Sequence, residues 1–164
     1  MALGNKYKSA PGAGTVAALI LVLVFGSPWY RDWAADNTNP ATAGGWFLRL
    51  LGWPAWYIDS GDSLREILVQ DLRAILVVVL TALFLFLLPG SQLARARGTI
   101  SQFFAGWGAY IFSCGFAALL TTLFLANPTL LRAFESASSG ASYGIFVGWL
   151  IGLATLGGRR GTRS

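Results

Sequence analysis

The sequence predicts an all-α membrane protein with four transmembrane helices and an interfacial aromatic segment in the first outer loop. Three observations lead there. Apolar residues make up 55% of the chain and the mean hydropathy is +0.59, values that belong to the membrane class rather than to a soluble domain. Several uncharged runs approach or exceed the roughly 20 apolar residues that a spanning helix needs. Lys6, Lys8, Arg95, Arg97, Arg159, Arg160 and Arg163 flank those runs, so the net charge of +5 suits membrane topology better than nucleic acid. The chain reads as one integral membrane domain, 1–164, with spans near 13–33, 66–88, 100–126 and 141–157 and an outer loop at 34–65.

The first apolar run, 13–25, reaches across only if Trp29, Tyr30 and Trp33 form its interfacial end. The competing reading is a cleaved signal peptide, with a basic start, a short apolar stretch and small residues near Gly26. Residues 31–45 read as an exposed polar loop. The following segment holds Trp46, Trp53, Trp56 and Tyr57 but is broken by Gly52 and Pro54. It is too short to span, and indole and phenol rings favour the headgroup layer, where the ring is buried and the polar atom stays wet. These four residues are expected to be interfacial anchors on the outer surface.

Ser63 followed by Glu66 has the form of a capping box, and the helix it starts runs without Gly or Pro to Leu88, ended by Pro89-Gly90. Arg95 and Arg97, with no acid beside them, place the next turn in the cytoplasm. The third span carries small residues every fourth position at Ala105, Ala109, Ser113 and Ala117. Residues 129–142 read as a short outer segment with a serine-rich patch. The fourth span carries Gly140, Gly144, Gly148 and Gly152. Glycines four apart share one helix face and open a groove into which another backbone can fit. The small-residue row on the third span is the expected occupant, and self-association along the glycines is the alternative.

Chemistry is mostly excluded. Without histidine the chain lacks the commonest general base and metal ligand, and with Cys114 alone it has no internal disulfide or Cys-x-x-Cys. From Ala74 to the end of the last span the apolar runs hold no Asp, Glu, Lys or Arg, which argues against a proton-coupled carrier. The membrane glutamate of the small multidrug exporters is missing as well. Asp32, Asp36, Asp59, Asp62, Glu66 and Asp71 gather on the outer side, but their spacing matches no calcium loop, and they read as a solvated helix start.

The expectation is therefore a non-enzymatic accessory or assembly component, with no cofactor and no metal. Its partners are the lipid bilayer and another membrane protein or itself, not nucleic acid. The alternative is a self-associating pore or carrier built on the glycine seam. The arginine-rich, Ala- and Gly-rich composition suggests a bacterial inner membrane, crossed several times with both ends of the chain cytoplasmic.

Overall fold

The computed structural model describes residues 10–56, 64–88, 99–124 and 129–160. Among these, every regular element is helical: α1 (Ala10–Ile20), continued by one π-helical turn (Leu21–Phe25), α2 (Pro28–Asn37), α3 (Ala43–Leu51), α4 (Leu64–Leu88), α5 (Thr99–Thr122), α6 (Leu130–Val147) and α7 (Trp149–Arg160). Two helices are long and apolar enough to cross a bilayer, over Ile67–Leu87 and Ile100–Thr122. The number rises to four if the bent pairs Ala10–Phe25 with Pro28–Asn37 and Leu130–Val147 with Trp149–Gly158 each count as one span.

The helices pack as a ring. α5 lies against α4 on one side and α6 and α7 on the other, and α1 closes the ring between α7 and α4. On α4, Ala74, Val77, Thr81 and Leu85 are buried, at helical spacing, while Leu68, Ile75, Val79 and Phe86 stay exposed. An exposed apolar row of that length would be a liability in water and is ordinary against lipid.

Both bends have identifiable causes. The first, 64°, falls at Gly26-Ser27-Pro28. Ser27 is extended (φ −66°, ψ 146°) and its Oγ caps the new helix by accepting from the Tyr30 amide, while Pro28 has no N–H with which to continue α1. The second, 52°, falls at Gly148. Breaking a helix at membrane depth strands backbone carbonyls, and each needs another donor. Here the Trp107 indole donates to the Ile145 carbonyl at 3.0 Å and the Trp149 indole to that of Phe146 at 2.9 Å.

Three expectations need correction. The polar stretch 31–45 is not one loop: α2 runs to Asn37 and α3 starts at Ala43, capped by Thr42 Oγ1. The short outer segment expected over 129–142 is helical, since α6 begins at Leu130, capped by Thr129 Oγ1. The first span is not continuous through 33, because the chain turns at Ser27. The Ser63 cap, the turn with Arg95 and Arg97, and the Asn127-Pro128 turn lie outside the described residues.

Candidate functional site

The glycine row lies along α5. A Cβ at Gly140 would strike the Cys114 carbonyl oxygen, and one at Gly144 would stand 2.6 Å from Ile111 Cα and 3.2 Å from its nitrogen. At Gly148 the obstacles are the Gly144 carbonyl oxygen and the Trp107 ring, the ring at 2.7 Å, and at Gly152 the Phe103 ring and carbonyl at 2.8 Å. Real side chains do not approach so closely. The two helices therefore touch backbone to backbone over Gly140 and Gly144, and backbone to ring below.

The nearest neighbours of these glycines are Phe103, Trp107, Tyr110, Ile111, Cys114 and Ala118. The row Ala105, Ala109, Ser113 and Ala117 is not among them. Ala109, Ser113 and Ala117 are buried, but on a neighbouring strip of α5. A strict four-residue row drifts about 40° around a 3.6-residue helix at each step, so two such rows do not stay in register along their length. The row that meets the glycines steps by three and four instead.

Beside the seam stand two fully buried phenols. The Tyr110 and Tyr143 hydroxyl oxygens are 3.3 Å apart, one on α5 and one on α6. Trp53 stacks on Tyr143 with ring centroids 5.0 Å apart at 23°, and the Arg73 guanidinium carbon lies 4.9 Å from the Trp53 ring centroid. Arg73 also donates to Gln70 Oε1 at 2.7 Å. It lies six residues inside the candidate span that begins at Ile67, roughly 9 Å along the helix, where an aromatic face and an amide can share its charge.

Trp53 belongs to a short strap, 52–56, that closes one end of the bundle. Trp56 Nε1 donates to the Val22 carbonyl at 3.0 Å, and its amide donates to Gly26 O at 2.9 Å. Val22 sits in the π-helical turn and accepts from Gly26 N as well. Gly26 has no room for a side chain because the Pro54 carbonyl crosses directly over it. Trp46 meets Phe146 edge to face at 4.9 Å and is 43% exposed. Of the four expected anchors, Trp53 and Trp56 are thus half-buried and tied to the helices, Trp46 is shared between α6 and the surroundings, and Tyr57 lies outside the described residues.

What these groups can do chemically is limited. Thr81, Ser113, Thr121, Thr122 and Thr155 are the buried polar residues, and each hydroxyl donates to a carbonyl of its own helix: Val77, Ala109, Ala117, Ala118 and Gly152. Such hydroxyls face the backbone rather than a conduit. Cys114 is fully buried beside the seam. Among the described residues no three His, Cys, Asp or Glu side chains could hold a metal; Asp59 and Asp62 lie outside them. The sequence reading missed Arg73 as a charge within the candidate span Ile67–Leu87 because it sits at the edge of its uncharged run. It missed the capping indoles of Trp107 and Trp149 because a bend at Gly148 has no signature beyond the glycine itself. Compared with known proteins, the chain matches no family model, no curated protein and no solved structure.

Proposed function

We propose that this chain is a four-span accessory or assembly component of a bacterial inner-membrane complex, without catalysis of its own, and with both ends of the chain in the cytoplasm. The reading counts each bent pair as one crossing. For the last two crossings it sets Arg95, Arg97, Arg159, Arg160 and Arg163 on the inner side against Arg132 near the start of α6 on the outer side, in line with the positive-inside bias; the first two crossings support it less, because Arg31, Arg49, Arg65 and Arg73 fall on the outer side.

The observation that carries the functional part is the state of the interior. The buried serine and threonine hydroxyls donate within their own helices, the two buried phenols face each other, and the glycine groove is filled by α5 of the same chain. A pore or carrier built by self-association along Gly140, Gly144, Gly148 and Gly152 would need that groove open. A helix-packing protein that presents its exposed faces to lipid and to another membrane protein does not.

Native mass spectrometry on the protein extracted gently from its host membrane tests this. A defined complex with a different polypeptide supports the accessory role. A homo-oligomer without a foreign subunit, with ion or solute flux in reconstituted vesicles, overturns it in favour of the pore.

A further inference from the structure

We propose that the cleft between α2 and α3 binds the headgroup of a phosphatidylethanolamine-type lipid, with the phosphate on Arg49 and the ammonium on Asp32. The cleft has a volume of about 280 Å³ and is lined by Tyr30, Arg31, Asp32, Arg49 and Gly52 among others. That is just below the roughly 300–1,000 Å³ of pockets that take whole drug-sized molecules; it accommodates a headgroup whose tails lie outside.

Arg49 is built for the phosphate. Its Nε donates to Thr38 Oγ1 at 3.0 Å, and its Nη2 donates to the carbonyls of Ala35 at 2.7 Å and Thr38 at 2.8 Å. These bonds cap the C-terminus of α2 and fix the guanidinium plane. They use three of the five N–H groups of the side chain. The two on Nη1 have no acceptor among the described residues, so a rigid, charged donor pair lines the cleft, the arrangement arginine offers to phosphate oxygens.

Asp32 sets the class of ligand. It is exposed and has no ion-pair partner among the described residues. A carboxylate in the same cleft repels a purely anionic headgroup such as phosphatidylglycerol but complements a primary ammonium. Choline has no N–H to give it. The depth is right as well: α2 turns 64° away from the helix before it, and Trp29 (75% exposed), Trp33 (41%) and Trp46 (43%) surround the hairpin as an aromatic belt does at the headgroup level. This inference does not depend on the accessory role; it needs only that the α2–α3 hairpin meets a membrane surface.

The test is native mass spectrometry of the delipidated full-length protein in mild detergent, offered equal amounts of phosphatidylethanolamine, phosphatidylcholine and phosphatidylglycerol with the same acyl chains. The expected result is retention of phosphatidylethanolamine about tenfold above phosphatidylcholine, the scale of one charge-assisted hydrogen bond. Arg49→Lys, which keeps the charge but not the paired donors, should lower that retention about tenfold, and Asp32→Asn should bring phosphatidylglycerol level with phosphatidylethanolamine. Should Arg49→Lys unfold, Asp32→Asn decides alone, because Asp32 is exposed. Equal retention of the three lipids by the wild type, or an unchanged order in Asp32→Asn, overturns the proposal. Competition by millimolar phosphoethanolamine, with inorganic phosphate inert, is expected if the headgroup is what the cleft holds; no competition at saturating phosphoethanolamine would overturn the assignment.

Discussion

Along the contact between α5 and α6 the packing surface is the backbone itself: Gly140 and Gly144 have no side chain, and Ile111 and Cys114 close directly onto them. At the end closed by the strap the same bundle is held by the largest side chains in the chain. Trp53 lies between Arg73 and Tyr143, and Trp56 reaches back 34 residues to Val22. The first contact gains from van der Waals proximity, which matters most where solvent is already apolar. The second gains from polar atoms on aromatic frames, which matters where the bilayer becomes wet. The difference teaches where each contact can be broken. The seam fails when something is added, and the strap fails when something is removed.

Gly144→Leu should have the largest effect. The added Cβ meets backbone atoms of Ile111, which have no rotamer by which to yield, so the cost should fall at or above the upper end of the about 1–3 kcal/mol typical of overpacking. Gly148→Leu should cost about as much, since a Cβ there meets the Gly144 carbonyl oxygen as well as the Trp107 ring. Thermal unfolding of both variants in one detergent checks this. Equal melting temperatures for Gly144→Leu and wild type would remove the seam from the account of this fold.

Trp53→Ala comes next. It removes the stack on Tyr143 and uncovers Arg73. Fully buried aromatic truncations cost about 3–5 kcal/mol, and Trp53 is half-buried, so about 2 kcal/mol is expected. Trp56→Phe keeps the ring but loses the bond to Val22 O, and should cost about 1 kcal/mol. Protease cleavage within 52–56 should rise in Trp53→Ala and stay low in Gly144→Leu, if the strap and the seam are independent. Rising cleavage in both would mean that they form one cooperative unit.

The seam and the strap also differ in how far they can be read in advance. The helical class and the long helices α4 and α5 follow from uninterrupted apolar runs. The glycine row is visible by its spacing, although its contact row on α5 is not, because a four-residue period and a 3.6-residue helix part company within a few turns. The strap was legible only as a tryptophan-rich interfacial segment. Nothing in its spacing connects Trp56 to Val22 or Trp53 to Tyr143, which are pairings made by the fold. The start of α6 was lost for a local reason. Ser136, Ser138, Ser139 and Gly140 are poor helix formers, and packing of Gly140 and Ala141 on Cys114, Gly115 and Ala118 outweighs that preference. One signal was available: the glycine row begins at Gly140, inside the stretch read as a short outer segment, and a row continuous in helical register implies a helix that already exists at its first member.

The smallest effect should come from glycines off the seam, and it should have the opposite sign. Gly108 lies in the middle of α5, and a Cβ built there meets nothing within 4 Å. Alanine at that position would add no clash and would remove the backbone freedom that makes glycine a poor helix residue, a gain of about 0.5–1 kcal/mol in an aqueous helix. The gain should be smaller in a bilayer, where the unfolded reference is itself helical. A slight rise in the melting temperature of Gly108→Ala, beside a large fall for Gly144→Leu, would show that the seam depends on position rather than on glycine content. A fall for Gly108→Ala comparable to that of Gly144→Leu would point instead to an unseen neighbour at Gly108, in which case the exposed side of α5 is an interface and not a lipid-facing surface.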